Sequence, residues 1–111
     1  MPAKVRRLGT PVLSVGLFWA TSAFAAFDSG NALLESCDNA TDAWKQSHCL
    51  AYIAGVSDVL DGMHITCTGG HVSLDEVKDV VVKYLREHPE KRNSDADDST
   101  SIALTSAFPC K

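Results

Sequence analysis

Residues 42–63 read DAWKQSHCLAYIAGVSDVLDGM, and this stretch decides the fold. Its apolar residues Trp44, Cys49, Tyr52, Ile53, Val56, Leu60 and Met63 recur at steps of three, four or five, close to the repeat that lines one face of an α-helix. The spacing predicts a central helix from about Asp42 to Met63. Ala51, Ala54 and Gly55 add small residues along it. An interior glycine costs about 1 kcal/mol relative to alanine, so Gly55 points to a neighbour that packs closely.

Working outward, a short helix is expected near Gly30 to Cys37, capped by Ser29 or Asp28 and burying Ala32, Leu33 and Leu34. Downstream, Ser73 and Glu76 have the spacing of a capping box. They precede Leu74, Val77, Val80, Val81, Tyr84 and Leu85, whose spacing is helical. That helix should stop near Glu87 or His88, because Pro89 biases the residue before it away from helical geometry. The polar stretch Glu90 to Asp98 reads as a solvated connection. A fourth helix is expected over Asp98 to Phe108, burying Ile102, Ala103, Ala107 and Phe108 and ending at Pro109. The fold class is therefore all-α, a small four-helix bundle.

The amino terminus has the parts of an export signal: basic Lys4, Arg6 and Arg7, an apolar stretch from Val12 to Ala20, and the small-residue pattern Ala23-Phe24-Ala25. Cleavage is expected after Ala25. The run from Leu8 to Phe27 is interrupted by Gly9, Thr10, Pro11, Ser14 and Gly16, which argues against a retained span of about 20 mainly apolar residues. Residues 26–111 form the remaining domain. It keeps 7 Lys+Arg against 14 Asp+Glu, a net charge of −7. Such a surface repels phosphate backbones and anionic lipid, and steers a basic protein partner toward it.

All four cysteines, Cys37, Cys49, Cys67 and Cys110, lie beyond the signal. An even set in a short exported chain predicts two structural disulfides. An up-down bundle puts Cys37 and Cys49 toward one end and Cys67 and Cys110 toward the other, and favours those two pairs. Cys49 with Cys67 is poor. The helix from Cys49 to Met63 rises about 21 Å, four more residues return at most about 14 Å, and bridged Cα atoms lie within about 7 Å.

The densest polar constellation is His64-x-x-Cys67-x-x-x-His71, with Gly69 and Gly70 between. Two imidazoles and a thiolate could ligate zinc. That reading needs Cys67 reduced, strands Cys110 and supplies three ligands, so the glycines are read as shaping a turn and no metal or cofactor is expected. Cys49 beside His48 makes a poor nucleophile pair, since helix neighbours in sequence do not face each other. Asp58 and Asp61 flank an apolar stripe as ordinary solvated residues do. No convergent acid, base and nucleophile is found, so the chain reads as a binding protein and not an enzyme.

The ordered pieces Gly30-Asn31-Ala32-Leu33-Leu34 with Cys37, Cys49-Leu50-Ala51-Tyr52-Ile53-Ala54-Gly55-Val56 with Asp58, Val80-Val81-Val82-Lys83-Tyr84-Leu85 with His88-Pro89, and Ala107-Phe108-Pro109-Cys110 resemble the Rap/Tai immunity proteins. These are periplasmic antidotes that protect type VI secreting bacteria from peptidoglycan amidases. The resemblance implies a periplasmic protein that blocks such an amidase, and it implies a homodimer. Two departures stand out: Ser99 and Thr100 occupy places the family usually fills with apolar residues, and Thr68-Gly69-Gly70-His71 replaces a Pro-containing turn. Candidate partner-binding residues are His64, Thr68, Gly69, Gly70 and His71, together with the connection Glu87 to Asp98. A second reading, from a different class, is a periplasmic stress or chaperone-like protein with no toxin partner, which would release apolar surface when its carboxylates are protonated.

Overall fold

The side chain of Asp42 accepts hydrogen bonds from the backbone N–H groups of Trp44 and Lys45, satisfying two of the donors that a helix start leaves without partners. From that cap the central helix α2 runs Ala43–Gly62. The structure, a computed structural model, describes Gly9 and residues 28–111. The expected export signal over residues 1–25 and its cleavage after Ala25 lie, that one glycine apart, outside the described residues.

Four helices make up the bundle: α1 (Gly30–Asp38), α2, α3 (Leu74–Glu87) and α4 (Ala96–Ala107). The expected all-α class holds. Helix α1 is capped by the Ser29 hydroxyl, which accepts from the Ala32 N–H. The capping box of α3 forms as its sequence predicts: Ser73 Oγ accepts from the Glu76 N–H at 3.2 Å, and Glu76 Oε2 accepts from the Ser73 N–H at 2.9 Å. Among the described residues no helix is long and apolar enough to cross a membrane.

The core is built from Leu33, Leu34, Cys37, Cys49, Ile53, Leu60, Val77, Val81, Val82, Leu85, Ala96, Ala103 and Leu104, with α2 packed against each of the other three helices. Both favoured disulfides form. Cys37 and Cys49 have Cα atoms 5.1 Å apart, and those of Cys67 and Cys110 are 4.9 Å apart. The first ties α1 to α2, and the second ties the loop after α2 to the residues after α4.

Three expectations are corrected. The stretch Glu90 to Asp98 is no solvated connection throughout: Pro89–Lys91 form a 3-10 helix, α4 begins at Ala96, and the backbone between them docks on the start of α1. Gly30 N–H donates to the Ser94 carbonyl at 3.0 Å and Asn31 N–H to the Arg92 carbonyl at 2.9 Å, while Ala96 N–H donates to the Asp28 carbonyl at 2.7 Å. The unpartnered N–H groups of the α1 start thus draw the strip in as acceptors. Gly30 is required there, because a Cβ would lie 3.0 Å from Arg92 Cα and 3.1 Å from its carbonyl oxygen.

Second, α4 is rotated from the expected face. Ile102 and Ala107 are exposed and Phe108 is half-buried, while Ala96, Ser99, Thr100, Ala103 and Leu104 point inward. The buried Thr100 hydroxyl donates to the Ala96 carbonyl at 2.7 Å, so this hydroxyl in the core is satisfied one turn back. Third, Trp44, Met63 and Leu74, expected inside, are exposed.

Candidate functional site

The chain leaves α2 through a Schellman turn, the hydrogen-bond pattern that closes a helix with a left-handed residue. Ile65 N–H donates to the Leu60 carbonyl at 2.9 Å and His64 N–H to the Asp61 carbonyl at 3.0 Å. The left-handed position, normally a glycine, is held by His64 at φ 57°. A side chain there costs roughly 1–2 kcal/mol, and such costs gather at functional sites. Gly69 and Gly70 follow with φ 65° and 69°, which confirms the turn expected of them.

Asp61 organises the loop. Its Oδ1 accepts from the Thr66 hydroxyl at 2.5 Å and from the Thr68 N–H at 3.4 Å, and its Oδ2 accepts from the Thr68 hydroxyl. These bonds, the Thr66 hydroxyl first and Thr68 second, hold the Asp61 carboxyl below the usual carboxylate range. Sequence reading assigned Asp61 to ordinary solvation and missed this. The signal was Asp61 followed, across a turn, by Thr66-x-Thr68, two hydroxyls within reach of one carboxylate.

The loop is fastened at its middle as well. Cys67 N–H donates to the Phe108 carbonyl at 2.9 Å, Thr66 pairs with Pro109 as an isolated bridge, and Cys67 is bonded to Cys110. That bond removes the thiolate which a zinc reading of His64, Cys67 and His71 required. His64, Gly69, Gly70 and His71 are exposed, whereas Thr68 is half-buried with its hydroxyl spent on Asp61. Four of the five candidate contact residues therefore face solvent on a rigid loop, and the fifth positions them.

The connection Glu87 to Asp98 presents a different surface. The His88 ring lies 4.3 Å from that of Tyr84 at an interplanar angle of 31°, and its Nδ1 is 3.0 Å from Glu90 Oε1. At the far end of α2, His48 Nε2 pairs with the Asp28 carboxylate. Nearby, burial first and then the carboxylates of Asp97, Asp28 and Asp95 push the Tyr52 phenol up. Each of these polar groups has a structural partner, and none stands with a nucleophile in the geometry catalysis needs. His48 is on α2 beside Cys49, but Cys49 is buried in its disulfide.

Among the described residues, a bundle of four helices closed by two disulfides carries this fastened, exposed loop, an architecture suited to a small binding domain. Within that class, the pattern describing the Rap1a immunity proteins matches residues 29–110. The chain belongs to the Rap1a immunity protein family, as the resemblance to Rap/Tai proteins implied, and an immunity protein acts by binding a secreted toxin. No curated protein matches the chain.

Proposed function

We propose that the chain is exported to the periplasm, loses residues 1–25, and there binds and blocks a peptidoglycan amidase delivered by type VI secretion. It works as a homodimer by covering the amidase cleft and performs no chemistry itself. The observation that carries this reading is the His64–His71 loop, held from below by Asp61, pinned by Cys67–Cys110, and presenting His64, Gly69, Gly70 and His71 outward. A loop already fixed in one shape loses little entropy on docking. The disulfides suit an oxidising compartment, and a net charge of −7 on residues 26–111 favours fast encounter with a basic toxin.

The test is co-purification of the oxidised chain from residue 26 with candidate periplasmic amidases, with peptidoglycan hydrolysis followed alongside. Stoichiometric inhibition, and rescue of cells expressing the amidase in their periplasm, is the expected result. His64→Ala and His71→Ala should weaken inhibition with melting temperature held. Absence of both binding and rescue for every amidase tried would refute the reading and leave a periplasmic stress role in its place.

A further inference from the structure

The two disulfides differ in what surrounds them. Cys37 and Cys49 are 8% and 0% exposed and belong to the hydrophobic core. Cys67 and Cys110 are both exposed, and neither belongs to that core. One bond is sealed inside the bundle between α1 and α2, and the other lies on the surface between the loop after α2 and the residues after α4. The rate of thiol–disulfide exchange depends on access to sulfur. At Cys67–Cys110 a thiolate can arrive while the protein stays folded, whereas at Cys37–Cys49 it must wait for α1 and α2 to part. The loop-closure advantage of the longer loop acts through the unfolded chain and gives no protection against attack on the folded one.

Cleavage of the outer bond has a local consequence. Cys67 N–H donates to the Phe108 carbonyl at 2.9 Å, and Thr66 is bridged to Pro109. Both of those partners lie between the end of α4 at Ala107 and Cys110, so the disulfide is the covalent clamp over two backbone contacts. Without it the loop is still held from the α2 side by Asp61, through Thr66 and Thr68, and its outer fastening becomes reversible. The core residues of all four helices are untouched, because Cys67 and Cys110 are not among them.

We propose that Cys67–Cys110 is a site of thiol exchange with a dithiol, and that its reduction loosens the His64–His71 loop while the four helices stay packed. One thiolate of the dithiol attacks Cys110 Sγ, which forms a mixed disulfide and releases the Cys67 thiolate. The second sulfur of the dithiol, once deprotonated, attacks its own partner sulfur in the mixed disulfide and releases the Cys110 thiolate. The dithiol gives up two electrons and ends as a disulfide, and its two protons pass to the two cysteine thiolates. Cys37–Cys49 takes no part. The consequence for blocking an amidase rests on the toxin reading: a loop that must be ordered again on docking binds more weakly, so reduction lowers inhibition without unfolding the protein.

The first test needs the chain alone. The oxidised chain from residue 26 is exposed to dithiothreitol without denaturant, quenched with iodoacetamide at intervals and mapped by mass spectrometry. Cys67 and Cys110 should be alkylated at least about tenfold sooner than Cys37 and Cys49, since opening must precede attack at the buried pair. The species with one bond broken should keep its helical circular dichroism at 25 °C and exchange the Cys67 amide faster, with the Ile53 amide still protected. The double variant Cys67→Ser, Cys110→Ser should show the same faster exchange at position 67 with no reductant present. Both bonds breaking together, Cys37–Cys49 breaking first, helicity lost with the outer bond, or an unchanged Cys67 amide would each overturn the proposal. Against an amidase that the oxidised chain inhibits, the singly reduced form should inhibit at least about tenfold more weakly, and equal inhibition would overturn the regulatory role. Failure of the oxidised chain to inhibit any amidase strikes at the toxin reading instead, and the labelling and exchange results decide the thiol-exchange site without it.

Discussion

The Asp61 carboxylate accepts the Thr66 hydroxyl at 2.5 Å across the end of α2, and in doing so it joins the central helix to the loop that carries Cys67. Thr66 is almost fully buried, so its hydroxyl takes Asp61 as its partner in place of water. Removing the acceptor leaves two threonine hydroxyls short of a partner. Asp61→Ala should cost about 1–3 kcal/mol, measured by urea denaturation, with faster amide exchange at Thr66 and Thr68. Unchanged exchange at both amides would show that the loop does not depend on Asp61.

The lowered Asp61 titration has a pH signature with a fixed sign. A carboxyl held below its unfolded value contributes stability that is complete above about pH 3.9, the unfolded aspartate value, and is lost as pH falls through the lower folded value. The stability gap between wild type and Asp61→Asn should therefore stay constant from neutral pH down to that point and shrink below it. A gap that closed at pH 6 would assign the effect to another group.

Two glycines make a matched pair. Gly30→Ala drives a Cβ against the Arg92 backbone at 3.0 Å, where no side chain can swing aside, and should destabilise by about 1–3 kcal/mol. Gly55→Ala meets open space and removes helix-disfavouring flexibility, so it should stabilise the monomer by up to about 1 kcal/mol. Thermal melts at a concentration low enough to keep the chain monomeric decide both.

His64 sits where helix ends ordinarily place glycine. His64→Gly should raise stability by about 0.5–1 kcal/mol, and under the proposed function it should weaken partner binding by removing an exposed side chain. Stability and affinity moving in opposite directions would separate the residue's two roles; a fall in both would deny that the backbone is strained.

The disulfides close loops of different length, with partners 12 and 43 residues apart. Replacing Cys67 and Cys110 by serine should cost about 4 kcal/mol and replacing Cys37 and Cys49 about 3 kcal/mol on loop-closure grounds. Urea denaturation of the two double variants measures both. Peptide mapping of the non-reduced protein should show only those two pairs; a peptide linking Cys49 to Cys67 would contradict the bundle.

The sequence by itself determined the four helices, the Ser73–Glu76 capping box, the class of fold and the two cysteine pairs. Each rests on local regularity: period, caps, or the distance a helix spans. The loop residues His64, Gly69, Gly70 and His71 were legible for the same reason, since a Gly-Gly pair between two periodic segments marks a turn. Only the tertiary structure decided which side of α4 turns inward, because the rotation of a short, weakly patterned helix is set by its neighbours. It also decided that the strip after Pro89 docks on α1, since the acceptors that α1 needs lie some 60 residues away in the chain, beyond any local pattern. It alone decided that Asp61 gathers two threonines and that Trp44 is left outside. A carboxylate's partners and a tryptophan's burial depend on what else reaches the same place, and among the described residues little reaches Trp44.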